Sequence, residues 1–472
     1  MVEAAPSRSQ RIVRVVELVA WLFLAVLVVE NLSDAVGAHL FPSDPVAMSS
    51  EINQNDRIDI PLILHSVQSR PTFASTFAWW HSSWVKEVPF WRPLTIQMFW
   101  LEAHSFTTQR YDLWFLVTAI GHLAMLAALV WMVLTLTSSV AERPSDRARG
   151  KAIVWLTIWI FAAAKIGGIT PTFLADLFTQ PFANVALDVW KNQPDILADL
   201  FVFLSLAFSC LRRWWPSIGC AFIAVAFKET GWMAWALDGW LLIIRGDWRR
   251  VPASVYVGAA VSIVVLLGLR WASGPEVFHG FRQGSNGAWF SRYESAVGGS
   301  YIVSLLVQPY CFIMGHVLFV FGWLRSRGRA LAGYLLLAGG LAVALSLQAY
   351  LSKGDFITAL VSYVDFSMAP VRTLLVIGIY LQLCGFCLVM QRPFYRRIWL
   401  FAAGASAVTA LPYVAASQVQ IHALHLAYAF ESVAWATIFV ALIDCWRVHL
   451  TAFWKALRTS GRSAEASTSP SA

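Results

Sequence analysis

The chain of 472 residues is 58% hydrophobic and 13% charged, with a mean hydropathy of +0.61 and a formal net charge of +8. A soluble globule of this length carries about twice that share of charge, so a water-soluble fold is excluded. The basic excess does not point to nucleic acid either. Lys and Arg are split among small clusters at the ends of apolar runs, the distribution that orients membrane spans.

Runs of roughly 20 apolar residues recur along the chain and predict an all-α, polytopic helical membrane protein. Twelve spans are read: 12–38, 112–137, 152–170, 194–211, 214–230, 231–244, 252–271, 300–323, 330–350, 371–390, 398–416 and 424–446. The first is longer than a signal-peptide core and is read as retained. The fifth and sixth are short, which predicts a tight hairpin or a break. With the N-terminus in the cytoplasm, every inner segment carries basic residues. Examples are Arg8, Arg11 and Arg14, then Arg143, Arg147, Arg149 and Lys151, then Arg212 and Arg213, and later Arg392, Arg396 and Arg397. Both termini are therefore expected in the cytoplasm of a cell (inner) membrane, with 40–111, 171–193, 272–299, 351–370 and 417–423 facing the periplasm or exterior. Residues 1–458 read as one transmembrane domain without internal repeats, and 459–472 as a disordered cytoplasmic tail. The six cysteines fall in apolar runs and read as small buried hydrophobes; Cys384 and Cys387 have the spacing of a metal or redox pair but no companion pair.

The segment 40–111 is the polar exception. It holds Asp44, Glu51, Asp56, Asp59, Glu87 and Glu102, interleaved with His, Arg and Lys and with Trp79, Trp80, Trp84, Trp91 and Trp100. Either it carries chemistry or it is a solvated connector with Trp anchors at the membrane interface. Asp56 and Asp59 are its most concentrated acids; on a helix their spacing places both on one side. Beside each other and an apolar wall, such carboxyls can act as a general base toward an acceptor hydroxyl.

Further along, Asp195 and Asp199 lie one turn apart at the start of the fourth span. Helix-dipole stabilisation explains them, and so does binding of a cation or phosphate. Lys228 and Glu229 are adjacent at the end of the fifth span, where a local ion pair is the simplest reading. His422 and His425 flank the start of the last span. Arg270, Arg282, Arg292 and Lys353 border outer loops, where they can meet a lipid phosphate or anchor a headgroup. No motif calls for a cofactor; a divalent cation at the acids is compatible with them.

Several stretches taken together resemble a known family. FWRPLTIQMFWLEAHSFTTQRYDLWFLVTAIGHLAMLAALVW (90–131), FTQPFANVALDVWKNQPDILADLFVFLSLAF (178–208), AFKETGWMAWAL (226–237) and LPYVAASQVQIHALHLAYAFESVAWA (411–436) resemble, in order and spacing, motifs of the GT-C membrane glycosyltransferases. The nearest group is the protein O-mannosyltransferases bearing tetratricopeptide repeats, with their bacterial relatives; this chain shows no such repeats. The resemblance implies a GT-C-like fold with a large first outer loop, an acidic catalytic residue after the first span, and transfer of a sugar from a polyprenyl-phosphate carrier. It matches Arg92 and Pro93 to an "RP" pair, His122 to a His of the second span, Pro181 to the proline of "HP", Asp195 to the acid of "GR.D", and Lys228 with Glu229 to "KE". Asp44, Asp56 and Asp59 are the candidates for the catalytic acid, which has no clean counterpart. Gln180 stands where the family has His, Asn184 where it has Glu, and His425 or His422 nearest a missing Arg.

The expected function is a membrane glycosyltransferase. Asp56, Asp59 and Asp44 would be catalytic, and Arg92, His122, Asp195, Lys228, Glu229, His422 and His425 would bind substrate. The expected partners are a polyprenyl-phosphate-linked sugar, a protein or glycan acceptor and the lipid bilayer, with no nucleic acid. The alternatives are a transporter or flippase of polyprenyl-linked glycans and a catalytically degenerate relative.

Overall fold

The computed structural model describes residues 65–83, 91–106, 111–163, 189–274, 389–415, 425–427 and 429–445. Among these residues the structure is helical and contains no strand. The helices are α1 (Pro93–Phe106), α2 (Tyr111–Val140), α3 (Pro144–Ala163), α4 (Val189–Cys210), α5 (Trp214–Phe227), α6 (Met233–Arg245), α7 (Ala253–Ala272), α8 (Pro393–Ala415) and α9 (His425–Cys445). Four stretches, Leu116–Val140, Gln193–Cys210, Ala253–Ala272 and His425–Cys445, are long and apolar enough to cross a membrane. They coincide with the second, fourth, seventh and twelfth spans read from the sequence. α3 and α8 begin several residues ahead of the third and eleventh predicted spans, each with proline at its first position, where the missing N–H costs nothing. The first, eighth and ninth predicted spans, most of the tenth, and the Cys384–Cys387 pair lie outside the described residues, as does the tail 459–472.

α4 is the central helix, packing against both α2 and α5. α2 and α4 run parallel: Gly121 faces Ile196 and Leu197, and at the far end Thr135 bonds Cys210. α3 packs on α2, α7 on α5, and α8 on α6. α9 closes the bundle through Phe430, whose ring meets Phe203 of α4 and Phe401 of α8 edge-on, with centroids 5.8 Å away in both cases. Edge-to-face geometry aligns the positive rim of one ring with the negative face of the next.

The predicted fifth and sixth spans form a broken hairpin. α5 and α6 have 14 and 13 residues. At 1.5 Å per residue each reaches about 20 Å, against roughly 30 Å of bilayer hydrocarbon. Lys228 leaves the helix in an extended conformation (φ −156, ψ 153), and Glu229–Trp232 form a single 3-10 turn into α6. Gly231 sits in that turn so close to the preceding helix that a Cβ would lie 2.2–2.4 Å from backbone atoms of Ala224 and Val225. Only glycine permits the approach. The hydroxyl of Thr95, on α1, donates to the freed carbonyl of Phe227 at 2.5 Å.

At the opposite end of the bundle the basic residues are held by buried or half-buried acids. Asp247 accepts from Arg245 at 2.8 Å and Arg212 at 3.1 Å. Asp444 accepts from Arg149 at 2.9 Å, and also from Arg392. Arg245 also donates to the carbonyl of Cys210, which fixes the ends of α4 and α6 together.

Candidate functional site

The described part of the polar segment is folded and not a solvated connector. Phe73–His81 form a 3-10 helix opened by a reciprocal cap between Thr72 and Ser75. Trp79, Trp91 and Trp100 are buried, and hence are not interfacial anchors. The Trp91 indole donates to the carbonyl of Trp80, and the Trp100 indole to that of Arg70. Gln97 on α1 accepts from the Trp80 indole and donates to Thr76, pinning the 3-10 helix to α1. Such bonds allow a Trp-rich segment to be buried without orphaned N–H groups.

This folded segment places Arg92 at the head of α1, beside the break between α5 and α6. Both Nε and Nη2 of Arg92 lie 2.9 Å from Oε2 of Glu229. Lys228 turns the other way and donates to Asp195 of α4. The local Lys228–Glu229 pair read from the sequence therefore does not form. Extended backbone at Lys228 sends consecutive side chains to opposite sides, and each finds a partner on a different helix. Arg270, near the end of α7, is buried and interacts electrostatically with Glu229. Two guanidinium groups thus flank one carboxylate, and the local charge is positive. Its burial makes Arg270 a component of this cluster and not a headgroup anchor.

Asp195 and Asp199 are likewise not helix-starting acids. α4 begins at Val189 and runs through Pro194, so both lie beyond its first turn. Asp199 meets Nδ1 of His425 at 3.1 Å. The His425 ring lies 5.9 Å from that of His122 on α2 and edge-on to Phe161 at 5.0 Å. His122 is buried, and its Nδ1 has no hydrogen-bond partner. Asp44, Asp56, Asp59 and His422 lie outside the described residues.

Two members of the cluster escaped the sequence reading as site residues. Glu102 of α1 is buried and accepts from the side-chain amide of Gln193, at the start of the α4 span. Its second oxygen and the Gln193 carbonyl oxygen have no partner. Burial pushes the Glu102 carboxyl up to about 8, the Gln193 amide offsetting part of the rise. The signal was present: Thr95, Phe99 and Glu102 follow the i, i+4, i+7 rhythm of a buried stripe.

One region thus gathers Arg92, Glu102, His122, Gln193, Asp195, Asp199, Lys228, Glu229, Arg270 and His425. Oε1 of Glu229 and the hydroxyl of Thr230 also lack partners there. Buried polar atoms are nearly always satisfied, so a concentration of unsatisfied ones marks a place arranged for something other than stability. Chemically the group offers cations for an anion and titratable groups for proton movement. Among the described residues no group of three or more His, Cys, Asp or Glu is disposed to hold a metal ion. In comparisons with known proteins, no family model, no curated protein and no solved structure matches the chain.

Proposed function

We propose that the chain is a membrane glycosyltransferase of the GT-C type, moving a sugar from a polyprenyl-phosphate carrier to a hydroxyl of a protein or glycan acceptor at the outer membrane face. One observation carries this reading. Residues matched to three separate family-like stretches, Arg92, Asp195 and the Lys228–Glu229 pair, are joined across the fold by two ion pairs. Residues that serve only their own helices have no reason to converge.

In the proposed reaction the acceptor oxygen attacks the anomeric carbon as the bond to the phosphate oxygen breaks. The phosphate leaves with the electron pair, and the hydroxyl proton passes to a carboxylate, for which Asp56, Asp59 and Asp44 remain the proposed bases. Arg92, Arg270 and Lys228 would stabilise the departing phosphate, their positions fixed beforehand by Glu229 and Asp195. Attack from the face opposite the phosphate inverts the anomeric centre.

The test is transfer from radiolabelled polyprenyl-phosphate sugars in membranes containing the full chain, with D56N, D59N and K228M in parallel. Loss of transfer in at least one Asp variant, and in K228M under conditions where it stays folded, supports the reading. Full activity in D56N and D59N removes the assignment of the base. Acids buried within predicted spans, Asp199 among them, favour a second reading as a flippase of polyprenyl-linked glycans. Lipid translocation without transfer would promote it, and an inert but folded protein would indicate a degenerate relative.

A further inference from the structure

At the end of the bundle away from the Lys228 cluster, two turns meet around one acid. The first joins α4 to α5 and carries Arg212 and Arg213; the second joins α6 to α7 and contains the 3-10 turn Trp248–Arg250. Asp247 lies buried between them. Its Oδ1 is 3.1 Å from Nη2 of Arg212 and 3.5 Å from Nη1 of Arg250, and its Oδ2 is 2.8 Å from Nη2 of Arg245. Arg212 takes a left-handed conformation (φ 59) at the end of α4, where glycine is the usual cap. The position keeps a side chain at some cost in backbone strain, and that side chain links the two turns.

Charge at this junction is unbalanced. Arg212, Arg213, Arg245, Arg249 and Arg250 share the single carboxylate of Asp247, and all of them except Arg245 are exposed. Among the described residues Arg213 and Arg249 take part in no ion pair. A guanidinium presents five N–H donors in a planar fork. Most of these donors are left over after Asp247 is satisfied, and their geometry matches the oxygens of a phosphate.

The apolar surroundings decide what kind of anion fits. Trp215, Trp248 and Tyr256 are exposed on the same junction. The Trp215 ring lies against Gly258 of α7, where a Cβ would be 2.6 Å from it. The Tyr256 hydroxyl donates to the carbonyl of Trp248 at 2.6 Å, and the Arg249 guanidinium lies 4.7 Å from the centre of the Trp248 ring. Such rings favour the boundary between water and hydrocarbon. Beyond them α7 exposes Val257, Val261 and Val264, at i, i+4 and i+7, so a face of this apolar helix continues from the basic rim. An acidic peptide or a nucleic acid would use the arginines and leave the rings and valines uncovered. A lipid with a charged phosphate covers both.

We propose that the junction of the α4–α5 and α6–α7 turns is a binding site for an anionic phospholipid, its phosphate held by Arg213 and Arg249 beside the arginines of Asp247 and an acyl chain laid along the Val257–Val264 face of α7. A basic rim alone orients spans and attracts any anionic surface. This site instead retains a lipid at one place, where it braces the two turns that flank the broken hairpin. It is independent of the glycosyltransferase reading and is tested without any sugar substrate.

The test is native mass spectrometry of the full chain in detergent, with equal amounts of phosphatidylglycerol and phosphatidylcholine. The wild type should retain phosphatidylglycerol in preference. R213Q/R249Q should lower that preference at least about tenfold, since each basic residue near a lipid headgroup contributes about fivefold. R143Q/R147Q removes as many exposed charges at the α2–α3 turn, on the same end of the bundle, and should leave the preference unchanged. Equal retention of the two lipids by the wild type overturns the proposal and leaves the arginines to a soluble acidic partner. Equal loss in the two double variants also overturns it, because the attraction is then diffuse. Melting in phosphatidylcholine checks that the variants fold. Should R213Q/R249Q not fold, R213Q and R249Q decide singly, and an unchanged preference in both refutes the site.

Discussion

Lys228 and Glu229 are neighbours in the chain, yet their side chains reach opposite parts of the fold: Lys228 holds Asp195 on α4, and Glu229 holds Arg92 ahead of α1. One peptide unit thus ties together three stretches that are distant in sequence. The extended backbone of Lys228 between two helical segments makes this possible, and Gly231 keeps it in place.

Removal of one partner of the inner pair should be severe. K228M leaves Asp195 buried without its cation, a change that typically costs about 3–5 kcal/mol. The double variant K228M/D195L, in which neither charge remains, should recover most of that loss. Thermal unfolding of the four proteins of this cycle in detergent measures the coupling, and additive losses would count against the pair.

Gly231 and Gly239 make a matched test of the break. G231A drives a methyl into the backbone of Ala224 and Val225, and should destabilise by at least about 3 kcal/mol because backbone cannot yield cheaply. G239A, on α6 with nothing within 4 Å of the added methyl, should be neutral or stabilising by up to about 1 kcal/mol from helix propensity. Equal effects of the two substitutions would mean that the turn tolerates a side chain.

Glu102 gives the protein a defined response to pH. Its folded-state value of about 8 lies above the ordinary 4.5, so the folded state binds its proton more tightly than the unfolded chain does. The associated stability is complete at low pH and is lost as pH rises through about 8, at no more than about 1.4 kcal/mol per pH unit. E102Q keeps the shape and stays neutral, so its melting temperature should fall less than that of the wild type between about pH 5 and about pH 9. Parallel curves would show that Glu102 does not titrate in that interval.

His122 separates stability from activity. Its ring is buried, with one nitrogen unsatisfied, so H122L should leave melting unchanged or raise it slightly. If the proposed reaction uses the His122–His425–Asp199 group to bind substrate, transfer from a polyprenyl-phosphate sugar should drop by at least about 100-fold. A stable and fully active H122L would confine His122 to a packing role.

The membrane spans were legible in the sequence because hydropathy acts within a single helix: α2, α4, α7 and α9 coincide with spans read from composition alone. Their partnerships were not, because burial of an ion pair depends on which helices meet. Lys228 and Glu229 read naturally as a pair to each other, and only the backbone conformation at Lys228 directs them elsewhere. Asp195 read as an acid at a helix start because the apolar span begins beside it, whereas the helix begins at Val189 and runs through Pro194. Asp44, Asp56, Asp59 and His422 lie outside the described residues and keep the standing that sequence reading assigned them.

The shortness of α5 and α6 bears on the bilayer itself. If the α5–α6 hairpin crosses the bilayer, its two helices of about 20 Å leave roughly 10 Å of hydrocarbon thickness unmatched. The adjoining leaflet must then pinch inward, at fractions of a kcal/mol for each ångström, or be held off by other helices. A pinched leaflet lowers its headgroups toward the level of Lys228. Under the proposed reaction, a long isoprenoid lying in such a leaflet would deliver its phosphate there while its tail stays among lipid chains throughout.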